Sequence, residues 1–224
     1  MSRAVLFDTE TTGLNPLAGD RVIEVAAIEL NGDLPTGNTF HRLIDPERDI
    51  PADASRIHGI TSADLEGKPR FADIAADLIG FLGDGPLVAH NAPFDFDFLD
   101  AEFTRIGKAK LDRERMVDTL ILAKTRYPGL PNSLDALCRR FGIDLSERTT
   151  HNALLDCRLL AEVYVELTGG RQRGLDLQAE SGGLDSAEYA PVGPRTPRPM
   201  AVSEAERAAH AAFLETLKDP VWRR

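Results

Sequence analysis

The sequence is short of sulfur, of aromatic rings, of positive charge and of long apolar runs, and each shortage excludes something. Two cysteines occur in 224 residues, Cys138 and Cys157. Both fall in helix-like segments without metal-ligand spacing, so they read as buried free thiols of a reducing compartment rather than a disulfide or a zinc site. There is no run of 18 apolar residues and the first residues enter a strand almost at once, which speaks against a membrane span or a secretory signal. The expected place is the cytoplasm, with no membrane partner. Twenty-six Lys and Arg face 36 Asp and Glu, a net charge of -10. An autonomous nucleic-acid binder usually carries a basic footprint. The balance argues against that role but leaves room for an enzyme that meets phosphates through metal ions, or for a chain tethered to a partner that holds the nucleic acid.

What is present begins at Ala4-Val5-Leu6-Phe7, which runs into Asp8-Thr9-Glu10-Thr11-Thr12-Gly13. This predicts a short buried strand ending in a polar turn. Residues i and i+2 of a strand share a face, so Asp8 and Glu10 project together. Two neighbouring carboxylates repel unless one is protonated or a divalent cation bridges them, and a hard oxygen pair suits Mg²⁺ or Mn²⁺. With 36 acids in 224 residues, about six acid-x-acid pairs arise by chance. The pair therefore needs support from further along the chain.

Arg21 to Leu30 predicts a second strand, Asn31-Gly32 a turn, and Gly37 to Ile44 a returning strand, together an antiparallel meander. Pro46 to Pro69 reads as one long irregular loop, and such loops are usually functional. Apolar residues at 71, 74, 75, 78, 79 and 82 predict a helix. Leu87-Val88-Ala89 predicts a buried strand. His90-Asn91-Ala92-Pro93-Phe94-Asp95 follows, with Pro93 suited to the first turn of a helix whose apolar face continues through Phe98, Leu99, Phe103 and Ile106. Asp95 thus sits near a helix start, just after a strand end. Met116-Val117 suggests another strand, Asp118 a helix cap, and Ser133 to Phe141 a helix stopped by Gly142. His151 to Leu167 predicts a further helix, with His151 and Asp156 converging only if His151 lies on or before its first turn. After the meander, strands alternate with helices, which predicts an α/β class with a mixed sheet.

The order FDTETTG, HNAPFD, HNALLD resembles the DEDD-type 3′ to 5′ exonucleases in their histidine-bearing variety, a branch of the ribonuclease-H-like fold. Within that family, PNSLDALCRRFGID and HNALLDCRLLAEVYVELTGG are similar to the proofreading (epsilon) subunits of bacterial DNA polymerase III. The resemblance covers most of residues 3 to 170 and, more loosely, the tail. It implies that Asp8, Glu10, Asp95 and Asp156 hold two Mg²⁺ or Mn²⁺ ions, with His151 as general base. It implies that Asp8, Thr9, Glu10, Asp53, His58 and Asp156 touch the terminal nucleotide, while His90 and Asn91 shape the site. For single residues the plainer readings stand beside these: Asn91 as a turn or cap, Asp53 as a loop residue, Phe94 as core. The implied activity is removal of nucleotides from a DNA 3′ end, releasing 5′-mononucleotides. RNA trimming by the same chemistry and a mainly structural role between polymerase and clamp are the rivals.

After Gly170 the composition changes. Residues 171–200 read as a flexible linker, within which Gln172, Leu175 and Leu177 resemble a peptide that docks on a sliding clamp. Ser203-Glu204-Ala205-Glu206 is a capping box that predicts a helix to Lys218. Trp222, the sole Trp of the chain, suits an interface anchor. With Phe213 and Leu217 it resembles the segment that binds the polymerase alpha subunit, and a theta-like small subunit is a further partner that the resemblance implies. The expected organisation is an exonuclease domain over 1–170, a linker over 171–200 and a polymerase-binding segment over 201–224.

Overall fold

The computed structural model describes residues 3–148, 150–169 and 201–218. Strands β1 (Arg3–Thr11), β2 (Val22–Asn31), β3 (Leu34–Leu43), β4 (Leu87–Ala89) and β5 (Met116–Asp118) form one sheet in the order β3-β2-β1-β4-β5. The first three are the expected antiparallel meander, whereas β4 joins β1 in parallel and β5 joins β4 in parallel. Gly32, at φ 64° between β2 and β3, takes the left-handed conformation that a tight hairpin needs.

Helices α1 (Ala52–His58), α2 (Ser62–Leu65), α3 (Phe71–Leu82), α4 (Ala92–Arg105), α5 (Thr119–Arg126), α6 (Leu134–Phe141) and α7 (Ala153–Thr168) accompany the sheet. The pleat of β1 divides the core in two. Val5 and Phe7 join Phe71, Leu78, Phe96 and Phe103 of α3 and α4. Ala4 and Leu6 join Leu137, Leu160 and Val163 of α6 and α7. Because both faces are covered, β1 and β2 carry nearly unbroken apolar runs. The alternation continues beyond the core, so Asp8 and Glu10 lie on the α7 side of β1. A bulge between Glu10 and Thr11 then breaks the register.

Several expectations need correction. The 46–69 stretch is not one irregular loop: it contains α1, which Gly59 stops at φ 77°, and α2, which the Thr61–Asp64 capping box starts. Helices of seven and four residues are too short to leave a 3.6-residue stripe in the sequence. Strand β3 begins at Leu34, before Gly37. Ile79, placed in the apolar stripe of α3, is 42% exposed. Helix α7 begins at Ala153, two residues after His151, because Asn152 caps it by accepting the Leu155 N–H. Cys138 and Cys157 are buried and unpaired.

Residues 201–218 belong to a second unit, described by itself. Its helix α8 (Glu204–Thr216) carries the expected Ser203–Glu206 capping box and ends before Lys218. Phe213 is exposed on it. The expected linker, with Gln172, Leu175 and Leu177, and the expected anchor Trp222 lie outside the described residues. Among the described residues, no helix is long and apolar enough to cross a membrane.

Candidate active site

Parallel β1 and β4 both deliver their carboxyl ends to the same edge of the sheet, where ligands of open α/β sheets bind. Strand β1 brings Asp8 and Glu10. The β4–α4 turn brings Asp95: Asn91 adopts φ 64° there, and its N–H donates to Asp118 Oδ1 at 3.0 Å. In α4, Asp95 sits in the first turn and is buried. Its Oδ1 accepts two bonds from Thr9, from the N–H at 3.0 Å and from the hydroxyl at 2.7 Å. The first turn of α7 brings Asp156, also buried. The four acids expected from the sequence therefore meet at one place, together with His151.

Their electrostatics are those of an acid-rich site in which, among the described residues, Arg148 on Asp156 is the one cationic side chain hydrogen-bonded to any of the four. Among the described residues no donor hydrogen-bonds the carboxylate of Asp8 or Glu10. Burial, then Asp95, Glu10 and other acids, push Asp8 well above the usual carboxylate range. Burial, then Asp156 and Glu24, push Glu10 up to about 8. Burial also raises Asp95 to about 7, against the opposing Thr9 hydrogen bonds. Oxygen ligands that resist ionising together fit hard divalent ions. One ligand atom each from Glu10, His151 and Asp156 lies within 4.8 Å of the others. That trio includes the expected base as well as two of the expected ligands.

His151 precedes α7, as convergence with Asp156 requires. Its backbone N–H donates to Ile57 O at 3.1 Å, which ties it to α1, and its Nδ1 lies 3.6 Å from Asp156 Oδ2.

Comparison with known proteins places the chain in a family. The RNase T exonuclease family model matches residues 5–164. The chain is 43% identical over 221 residues to DNA polymerase III subunit epsilon of Rickettsia felis, covering 96% of each chain. To the subunit epsilon of Haemophilus influenzae it is 45% identical over 181 residues, covering 78% of this chain and 71% of the relative. The chain belongs to this exonuclease family. Among solved structures, exonuclease X in complex with 5′ overhanging duplex DNA matches with a TM-score of 0.59 and 26% identity, covering 74% of this chain and 91% of that one. The nuclease domain of 3′hExo, a DEDDh family member bound to rAMP, shares the fold with a TM-score of 0.63 at 18% identity, over 74% of this chain and 91% of that one.

In this exonuclease the acids and His151 border a cavity of about 520 Å³ that also collects Thr9, Asp53, His58, His90 and Phe94. His58 is 5% exposed; its Nδ1 accepts the Ile60 N–H while its Nε2 has no partner. Burial lowers its pKa, as burial lowers that of His90, whose Nδ1 sits 2.9 Å from the Thr119 hydroxyl. Asp53 is exposed and pairs with Arg56. Phe94, read as core, packs on Phe98 but also lines the cavity, so the reading holds for one face of the ring. Asn91 is not among the residues of this cavity. It borders a second groove of about 940 Å³, which shares Asp8, His90, His151 and Asp156 and adds Lys124, Asp135 and Arg148.

Sequence reasoning missed four residues here. Leu14 and Ile57, 81% and 54% exposed, stand apolar on the cavity rim. Glu24, fully buried on β2 opposite Glu10, accepts the Ala153 N–H and the Asn152 side-chain amide, each at 3.1 Å, and meets His41 Nε2 at 2.6 Å. Arg148 forks onto Asp156 and reaches Asp135 and His151. The exposed leucine directly after the Thr-Thr-Gly turn was a usable signal. Arg148, in a stretch without periodicity, offered none.

Proposed function

We propose that this 3′ to 5′ exonuclease removes nucleotides from DNA ends as the proofreading subunit of a bacterial replicative polymerase. In this reading Asp8, Glu10, Asp95 and Asp156 hold two Mg²⁺ or Mn²⁺ ions, and 5′-mononucleotides are released. One observation supports it above the others: the described residues lining the main cavity include six carboxylates and three histidines but no Lys or Arg. A phosphodiester is repelled by such a surface until cations cover it.

Bound divalent ions supply charge relief at the phosphate and at the leaving oxygen, and a more acidic water. The chain's own residues do the rest. Thr9 fixes one oxygen of Asp95, so the carboxylate presents the other. With Nδ1 of His151 on the Asp156 side, Nε2 is the ring atom that takes the proton of the attacking water. The unpartnered Nε2 of His58 and the carboxylate of Asp53 serve the terminal sugar and phosphate, with His90 shaping the wall. Leu14, Ile57 and Phe94 offer apolar faces to bases. The second groove, with Lys124, takes the preceding nucleotides of the strand.

The partners in this reading are a DNA 3′ end and the polymerase III alpha subunit, bound through α8 with Phe213, Leu217 and the more distal Trp222. A sliding clamp at Gln172, Leu175 and Leu177 and a theta-like subunit complete the set. The location is the cytoplasm, at the nucleoid.

The test is degradation of 5′-labelled single-stranded DNA and matched RNA with Mg²⁺, Mn²⁺ or EDTA. Laddering from the 3′ end of DNA is expected, abolished by EDTA and by Asp8→Ala, and slowed by about 10² to 10⁴ in His151→Ala. Activity chiefly on RNA would make the protein a trimming enzyme, and full activity of Asp8→Ala would remove the metal assignment.

A further inference from the structure

We propose that Arg148 is a built-in cation of the metal site, whose fork closes over Asp156 when no divalent ion is bound and must open for an ion to bind. The proposal rests on the metal-dependent reading above. Arg148 Nε donates to Asp156 Oδ1 at 2.6 Å and Nη2 to Oδ2 at 2.7 Å, so both oxygens of one expected ligand are taken. This is the planar two-point pairing that makes guanidinium–carboxylate contacts strong. The side chain is 9% exposed, so water competes weakly for it.

The same fork reaches the expected base. Nη2 lies 3.2 Å from His151 Nδ1. A guanidinium has donors and no acceptor, so Nδ1 accepts and the proton of the neutral ring falls on Nε2. In that tautomer Nε2 cannot take a proton from water. One side chain thus covers a ligand and sets the base in its idle form. Nη1 donates to Asp135 Oδ1 on α6 at 2.5 Å, which provides a pivot on which the other two nitrogens can leave Asp156. Glu10, His151 and Asp156 converge on a point suited to an ion, and the guanidinium already engages two of the three. A small built-in charge can hold the place of the larger one without matching it.

The apparent dissociation constant of a ligand rises by the inverse of the binding-competent fraction. A fork closed nine times in ten therefore weakens ion binding about tenfold. The test is titration of the full chain, without DNA, with MnCl₂ by calorimetry and by the EPR signal of free Mn²⁺, alongside ring ¹⁵N NMR of His151. In Arg148→Gln, Mn²⁺ binding about tenfold tighter than in wild type is expected, together with a lower metal-free Tm, a larger Tm rise on adding Mn²⁺ and a changed His151 tautomer. In Arg148→Lys, which keeps the charge but not the fork, the tightening is smaller. Unchanged or weaker Mn²⁺ binding in Arg148→Gln would make Arg148 a fixed brace and overturn the proposal. If Arg148→Gln does not fold, the same result in Arg148→Lys overturns it. A wild type that binds no Mn²⁺ would overturn the metal reading and this proposal with it. A wild type that binds Mn²⁺ beside unaltered variants overturns this proposal alone.

Discussion

Thr9 stands between the two acids of β1 and points the other way, toward α4. Its hydroxyl and N–H both hold Asp95 Oδ1. Thr9→Val keeps the shape and the N–H, so the expected loss is about 10- to 100-fold in metal affinity or turnover, with little change in Tm and recovery in Thr9→Ser, read by Mn²⁺ titration and kinetics. The raised acids make a second statement. Glu10 at about 8 and Asp95 at about 7 bind protons in the folded state that the unfolded chain has released. Their stabilisation is complete below the ordinary carboxylate pKa of about 4 and is lost as pH rises through their folded values. Metal-free Tm should fall as pH rises from about 4, most steeply near pH 5 to 6.5 where the folded acids hold protons that the unfolded chain has lost, and level off above about 8; Mg²⁺ should flatten the fall. A flat profile in EDTA would contradict it. The acids themselves could be read from sequence because the order of the three motifs that carry them, FDTETTG, HNAPFD and HNALLD, resembles that of the family. Arg148 could not, since its partner lies eight residues on, across a helix start.

At the level of elements, the start of α7 decides where His151 and Asp156 stand, and β2 holds it there. Glu24 receives the Ala153 N–H and the Asn152 amide. Removing it strands two donors in a buried setting, so Glu24→Ala should cost about 3 kcal/mol in urea unfolding and lower the exonuclease rate. Glu24→Gln should recover part of both. From sequence, Glu24 looked like any polar residue in a strand, because its partner depends on register and on packing 129 residues away. The periodic elements α3, α6 and α7 were legible, as were the Ser133 cap and Gly142 stop of α6; the Asn152 cap of α7 was not. Helices α1 and α2 were not, although α1 carries Asp53, Ile57 and His58 to the cavity. Their length hides them, not their composition.

Over the whole molecule, charge governs contact with DNA. A net charge of -10 and an acidic cavity leave the isolated chain little affinity of its own for phosphates. Binding of an uncleavable phosphorothioate oligonucleotide, followed by fluorescence anisotropy, should weaken at least about tenfold when EDTA replaces Mg²⁺, because few counterions are released without the metal. Equal binding in EDTA would show a basic track elsewhere. The α/β class was legible because the meander and the later strand–helix alternation each have their own pattern. The sheet order was not, because nothing local tells β4 to join β1 rather than extend the meander. That central place of β1 has a consequence for how the protein comes into being. β1 is synthesised before β4 and α7, with which it pairs and packs and which follow much later along the chain. Contacts so distant along the chain close slowly. A chain still emerging from the ribosome has Asp8 and Glu10 long before Asp156 exists to face them, so it cannot assemble the nuclease centre prematurely. Biosynthesis itself thereby delays the moment at which a DNA-cutting activity is born.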